Sequence, residues 1–311
     1  MNANQSVTQS GSNQSGNFSA PHSYDVVVVG STNLDLVATV EHLPSPGETV
    51  LATSYAEHPG GKGLNQAVAA RRAGADTAFI TSLGSDAAGS FLHRLIVNES
   101  IAAYVSDHDG PTGRALISVD EEAENSIVVV PGANAYLTLS AVESQRRILE
   151  RAKVVLCQLE VPISAVEAAL AIAKAGGART IVNPAPAQEL TRGFLELCDV
   201  VVPNQQELAM LGGTSALLDS GVGTVVVTLG ARGIRIVTRE DEWEIPPYAV
   251  RAIDTTGAGD AACGALAASL ALGSDIMVAA RRASAAGALA ATRQGAVPSL
   301  PFREEIDTLV P

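Results

Sequence analysis

The densest chemistry in the chain lies in seven residues, Asp254-Thr-Thr-Gly-Ala-Gly-Asp260, just ahead of an Ala-rich stretch that predicts a helix over 261–272. Glycine at 257 and 259 lets successive backbone N–H groups turn toward one point without Cβ interference. Those N–H groups, with a helix dipole behind them, form an anion site suited to a transferring phosphoryl group. Asp260 falls in the first turn beside that site, where a carboxylate can accept the proton of an attacking hydroxyl. Aspartate also opens ordinary helices, but acidic residues at both ends of the motif weigh toward chemistry.

Four further clusters could serve the same centre. Asn204-Gln-Gln-Glu207 follows a short Val-rich strand. Asn204 and Glu207 fit a helix capping pattern; beside an anion site, Glu207 could instead organise Mg²⁺ through water, since Mg²⁺ keeps several waters. Thr228-Leu-Gly-Ala-Arg-Gly233 is a glycine-bounded loop after another strand. By itself it is a β-turn, and in context a candidate nucleotide loop. Gly60-Gly-Lys-Gly-Leu-Asn-Gln66 opens a helix, with glycines that permit close backbone approach to a ligand and an Asn65 that offers donor and acceptor. Lys62 there reads equally as a solvated charge. Ser31-Thr-Asn-Leu-Asp35 puts Asn33 and Asp35 on one face of an extended segment. A carboxylate and an amide together suit sugar hydroxyls; an Asx-type turn is the competing reading.

These clusters need a scaffold, and the rest of the chain predicts one. The run Asp25-Val-Val-Val-Val-Gly30 reads as a buried central strand. Short strands are expected over 36–40, 49–53 and 78–83, and a hairpin over 116–119 and 126–130. Further strands over 154–158, 180–183, 200–203 and 224–228 alternate with helices that start near Pro162, Thr191 and Gln205. Such alternation predicts a parallel sheet covered on both faces. A helix is expected over 139–152. The β structure of 234–237 and 242–245 continues to a segment ending near Ile253, and two Ala-rich helices close the chain. Residues 212–223 leave room for only about two helical turns.

Composition bounds the partners. The 311 residues are 47% hydrophobic and 17% charged, with a formal net charge of −13. A net negative surface repels phosphate backbones, so nucleic acid is not an expected partner. A polyanionic ligand must instead meet local positive potential. The apolar runs are interrupted too early for a membrane span. Cys157, Cys198 and Cys263 are odd in number and widely spaced, which fits buried free thiols in a reducing cytoplasm. Residues 1–23, rich in Asn, Gln, Ser and Gly, predict a disordered tail. Neither a GxxxxGK[ST] loop nor a GxGxxG turn after the first strand is present.

Together the motifs resemble the ribokinase family of sugar kinases, the phosphofructokinase-B type, from about Asp25 to Leu309. Gly61-Lys-Gly-Leu-Asn-Gln66, Glu124-Asn-Ser-Ile127, Pro131-Gly-Ala-Asn134, Gln158-Leu-Glu160 and Asn183-Pro-Ala-Pro-Ala187 are all in register with members that act on ribose. The resemblance implies an α/β three-layer sandwich over 24–311, with a mostly parallel central sheet. A small β-sheet lid would come from about 36–56 and 113–131. It implies transfer of the γ-phosphoryl group of ATP to O5 of D-ribose, with Asp260 as base and Gly257, Ala258 and Gly259 as anion hole. Asn33, Asp35, Gly61, Lys62, Gly63, Leu64, Asn65 and Glu160 would match sugar-contacting positions. Asn204, the loop Thr228, Leu229, Gly230, Ala231, Arg232 and Gly233, together with Gly259 and Ser284, would form the nucleotide shell. Glu207 would organise Mg²⁺. Asp254, Thr256, Ala290, Arg293, Gly295 and Ser299 would hold an activating K⁺, mostly through carbonyl oxygens. The lid would pair two subunits into a homodimer.

Two departures stand out. Leu64 replaces the alanine of many family members, and its bulk could reshape the helix beside the sugar. The segment 212–223 is shorter than usual, so a crossover helix is trimmed or lost near the nucleotide motifs. A sibling kinase for deoxyribose, another sugar or a nucleoside is the alternative activity. Aromatic residues at 4% argue against stacking a base. A non-catalytic sugar sensor would have no need of Asp260.

Overall fold

The computed structural model describes residues 23–122 and 124–310; the tail expected over 1–23 lies outside them except for Ser23. The first half of the chain forms β1 (Val26–Val29), β2 (Asn33–Thr39), β3 (Ser54–Gly60), α1 (Lys62–Arg72), β4 (Thr77–Gly84), α2 (Ala87–Asn98), β5 (Ala102–His108), β6 (Gly113–Val119) and β7 (Asn125–Val130). There follow α3 (Leu139–Ser144), α4 (Arg146–Arg151), β8 (Val154–Cys157), α5 (Ile163–Gly176), β9 (Arg179–Val182), α6 (Arg192–Leu195), β10 (Val200–Val201) and α7 (Gln205–Met210). The last third forms α8 (Gly213–Asp219), β11 (Thr224–Thr228), β12 (Ile234–Val237), β13 (Glu242–Ile245), α9 (Ala258–Ala271), α10 (Ile276–Ala290) and α11 (Arg303–Leu309).

Nine strands make one sheet in the order β13-β12-β11-β10-β9-β8-β1-β4-β5, parallel except for the antiparallel edge β11-β12-β13. The valine run of β1 shows why both faces are covered. Successive side chains point to opposite faces, so Val26 and Val28 join the core under α1, α2, α9 and α10. Val27 and Val29 join the core under α3, α4, α5 and the short α6 to α8. The result is a three-layer α/β sandwich. A separate four-stranded sheet, order β3-β2-β6-β7, stands beside the carboxyl ends of the parallel strands.

Several expectations shift. Residues 49–53 carry no strand. The turn is closed by Glu48, which accepts the Ser45 N–H at 2.9 Å, and antiparallel pairing with β2 starts only at Thr39↔Ser54 and runs to Asn33↔Gly60. The small sheet therefore occupies 33–39, 54–60, 113–119 and 125–130. No strand leads to Ile253; after β13, Pro246 and Pro247 lack the N–H groups a ladder needs. The helix expected over 139–152 breaks at Gln145 into α3 and α4. The segment 212–223 keeps the seven-residue α8. The strand β5 and the helix α11 are additions to the sequence reading. Among the described residues no helix is long and apolar enough to cross a membrane, and all three cysteines are free and buried.

Candidate active site

Helix α9 starts three residues earlier than its composition suggested, because Gly257 adopts the left-handed conformation (φ 76°) and serves as N-cap. Its residues from Asp260 to Ala271 are buried, as befits a helix that is apolar all round. It crosses α1 closely at Gly264: a Cβ there would lie 2.7 Å from the Gln66 carbonyl oxygen and 2.5 Å from the Ala69 Cβ. That approach sets the first turn of α9 against the amides of α1. Asn65 Nδ2 donates to Asp260 Oδ2 at 2.9 Å, and Gln66 Nε2 donates to Oδ1 at 2.9 Å. Both oxygens of the buried carboxylate are thereby oriented.

Asp260 opens onto a cavity of about 220 Å³ lined by Gly257, Gly259, Thr255 and Cys263 from the α9 side, with Lys62 and Glu207 opposite. Asn183, Val202, Asn204 and Thr228 complete it from the carboxyl ends of β9, β10 and β11, where ligands bind in open parallel sheets. Beyond its own helix, nothing lies within 4 Å of the position a Cβ on Gly259 would take, so that side of the first turn is open; Gly257 packs on Ala296, and the Ala258 N–H donates to the Thr255 carbonyl at 3.2 Å. Open backbone at a helix N-terminus plus a lysine suits an anion. Burial works against the Lys62 ammonium, but the carboxylates of Asp260, Glu160 and Glu207 outweigh it and hold its pKa above the ordinary value.

The sugar-type residues gather on the side of the small sheet. Ser31 Oγ donates to Glu160 Oε2 at 2.5 Å, and the Lys62 N–H donates to the same oxygen at 3.1 Å. Asn33 Oδ1 accepts from Asn134 Nδ2 at 2.7 Å. Gly61 (φ 91°) lies so close to this strand that a Cβ would meet the Asn33 nitrogen at 2.7 Å, and Gly63 packs as tightly on the Gly30–Ser31 backbone. The Asp35 carboxyl is pushed up to about 7, first by burial and then by Glu160 and Asp260. Of the sugar-type positions only Lys62 lines the cavity itself, and Leu64 departs furthest from the expectation: its side chain is fully buried in the core.

The nucleotide and cation motifs are brought together only in part. Asn204 and Thr228 line the cavity, whereas Leu229 to Gly233 form a short 3₁₀ turn outside its lining, with Arg232 donating to Gln205. Ser284 is buried in α10, away from that lining. Asn204 and Glu207 form a complete capping box: Asn204 Oδ1 accepts the Glu207 N–H and Glu207 Oε2 accepts the Asn204 N–H, both at 2.8 Å. Asp254 ties its loop to the segment after α10, accepting the Thr256 N–H at 2.9 Å and the Gly295 N–H at 2.8 Å. Burial opposes its charge, but these bonds prevail and hold the carboxyl below the usual range. Arg293 is engaged by Glu305 and Ser299 Oγ by the Ala296 carbonyl at 2.8 Å, while Ala290 is buried. Among the described residues no group of three or more His, Cys, Asp or Glu side chains forms a metal cluster. The sequence assigns no role to Gln66, Asn183, Thr255 or Cys263; for Gln66 the one signal is an amide among the buried Leu64, Ala67 and Val68 of α1.

Comparison with known proteins identifies this arrangement. Residues 23–303 match the model of the pfkB family of carbohydrate kinases. The chain belongs to the pfkB family. A ribokinase of Haemophilus influenzae is 38% identical over 90% of this chain and 96% of its own length. A bifunctional ribokinase/ribose-5-phosphate isomerase A of Fructilactobacillus sanfranciscensis is 41% identical; this kinase chain spans 55% of that longer protein. The structure of Arabidopsis thaliana ribokinase complexed with ribose and ATP superposes with a TM-score of 0.84 at 29% identity, covering 93% of this chain and 99% of that one. A deoxyribokinase of Salmonella typhi is 32% identical over 91% of this pfkB-family chain.

Proposed function

We propose that this pfkB-family kinase transfers the γ-phosphoryl group of ATP to O5 of D-ribose. The observation that carries the reading is the shared cavity: the Asp260 carboxylate, fixed by Asn65 and Gln66, opens beside Gly257 and the open Gly259 side of the first turn of α9. Asp35, Asn33 and Glu160 would hold the sugar hydroxyls, and Asp260 would take the proton of the primary hydroxyl as it attacks. The N–H groups of Gly257, Ala258 and Gly259, with Lys62, would stabilise the charge that grows on the transferring group. Two cations fit the donor sets. Glu207 commits Oε2 to the helix cap, which leaves Oε1 beside the cavity to hold Mg²⁺ through water; when bound, the ion neutralises phosphate charge. Asp254, with the carbonyls of Thr256, Ala290, Arg293 and Gly295 and the Ser299 hydroxyl, would hold K⁺, a weakly charged oxygen set that suits an ion which sheds water readily. A homodimer through the small sheet and a cytoplasmic location complete the reading.

The test is ATP consumption over a panel of ribose, deoxyribose, other small sugars and nucleosides. The highest kcat/KM is expected for ribose. Preference for deoxyribose would move the chain to the sibling activity. Asp260→Asn should lower kcat by about 10²- to 10⁴-fold, the usual cost of losing a positioned general base.

A further inference from the structure

Behind Asp260 runs a chain of buried amides. Gln66 is fully buried in α1. Its Nε2 donates both to Asp260 Oδ1 at 2.9 Å and to Asn183 Oδ1 at 3.0 Å, and its Oε1 accepts from Gln158 Nε2 at 2.6 Å. Asn183, just beyond β9, donates Nδ2 to the Val202 main-chain carbonyl at 2.9 Å. Gln158, just beyond β8, is also fully buried. Its Oε1 fills the space a Cβ on Gly30 would need, 2.0 Å away, so glycine at 30 makes room for it.

One orientation satisfies Gln66 and Asn183 in full and leaves a single orphan in this chain of amides, Gln158 Oε1 against Gly30. The Val202 carbonyl can only accept, so Asn183 turns its NH₂ group there and its Oδ1 toward Gln66. Gln66 must meet that oxygen with its own NH₂, which places the second N–H on Asp260. The Gln66 carbonyl is then left for Gln158, which must donate. Main-chain polarity at the end of β10 thus dictates that a donor, not an acceptor, faces the carboxylate. An apolar residue at 66 would suit the surrounding core, where Leu64, Ala67 and Val68 are buried. Buried amides cost free energy unless fully hydrogen-bonded, and a network serving the fold alone has no need to end on a carboxylate in the cavity wall.

We propose that Gln66 is a positioning residue for Asp260, and that Gln158 and Asn183 act through it by locking which end of its amide faces the carboxylate. This rests on Asp260 being the base. With Asn65 on one oxygen and Gln66 on the other, the carboxylate plane is fixed, and its remaining lone pairs face the incoming hydroxyl.

The experiment compares wild type, Gln66→Met, Gln158→Glu and the double variant in steady-state kinetics with ribose and ATP, alongside a crystal structure of Gln66→Met without substrates. Misplacing a reacting group by about 1 Å costs up to about 100-fold. Gln66→Met is therefore expected to lower kcat about 10- to 100-fold while both KM values stay within about twofold. Gln158→Glu, whose carboxyl can only accept once ionised, should turn the Gln66 amide over and lower kcat similarly above the pH at which that buried group ionises, and less below it, although residue 158 does not touch Asp260. The double variant should be no slower than Gln66→Met, because both changes act through one contact. In the Gln66→Met crystal the Asp260 carboxylate should be rotated from its wild-type plane. A kcat within twofold of wild type, KM rising as kcat falls, or additive losses would overturn the proposal. So would an unmoved carboxylate. Should Gln66→Met fail to fold, the kcat of Gln158→Glu decides the same point. A wild type that phosphorylates no sugar would sink the base assignment instead, and the crystal structure would still decide the positioning of Asp260.

Discussion

Asp35 is the residue whose charge state the fold controls most openly. Burial comes first, and the Glu160 and Asp260 carboxylates add to it, so its carboxyl titrates at about 7 in the folded chain instead of 3.8. Between those two values the folded chain keeps a proton that the unfolded chain has released. Protein that binds more protons when folded loses stability as pH rises, so this contribution is fully adverse only above about 7. Asp35→Asn removes the carboxylate and keeps its shape. The variant's melting temperature should match wild type near pH 4 and exceed it increasingly from pH 5 to pH 8. A constant difference across that range, measured by calorimetry, would show that Asp35 ionises freely. Catalysis points the other way, since a sugar hydroxyl is better held by the ionised acceptor. Asp35→Asn should therefore raise KM for ribose even as it stabilises the fold.

At the scale of elements, the two loops proposed to hold cations are themselves fixed by main-chain bonds. The capping box of α7 uses only Glu207 Oε2, and an amide oxygen can accept the same Asn204 N–H. Glu207→Gln should leave the melting temperature nearly unchanged but raise the Mg²⁺ concentration for half-maximal rate by about 10-fold or more, as for lost outer-shell ligands. Glu207→Ala should add a stability loss of about 1 kcal/mol. An unchanged Mg²⁺ requirement would reduce Glu207 to a cap. The loop that Asp254 ties to Gly295 leads straight into Gly257 and α9. K⁺ in place of Na⁺ at equal ionic strength should raise kcat or lower KM, and Asp254→Asn should abolish the difference; equal rates in KCl, NaCl and tetramethylammonium chloride would leave only screening. These elements differ in how well sequence announces them. The valines of β1 and the glycine-aspartate turn of α9 carry their own pattern, because continuous burial and a left-handed N-cap each demand a residue type. The strand β3, Ser-Tyr-Ala-Glu-His-Pro-Gly, does not. It is an edge strand with Pro59 and polar side chains, and only its register with β2 makes it one. Gln66 is hidden for a similar reason: α1 must cross α9 at Gly264 before its amide has anything to orient.

For the whole molecule, the small sheet raises the largest question. Its edge strand β7 is exposed along its entire length. Ile127 is 52% exposed and, through its pairing with Ile117 and then Val37, lies on the same face as Asp35. Val128, 58% exposed, lies on the opposite face with its partner Leu116, 45% exposed. A four-stranded sheet with apolar residues bare on both faces and an open apolar edge suits the proposed pairing, because exposed apolar patches and open edges are rarely left uncovered. A second copy of the chain presents the same strands and can cover them symmetrically. Because Asp35 is carried on β2 of this sheet, pairing would also steady the face proposed to bind sugar. Sedimentation equilibrium should therefore find a dimer at micromolar concentration. Val128→Glu buries a charge in the proposed contact and should shift the equilibrium toward monomer, with a KM for ribose that depends on protein concentration. Wild-type protein that stays monomeric across the micromolar range, with kinetics unchanged by Val128→Glu, would leave the small sheet serving one chain alone.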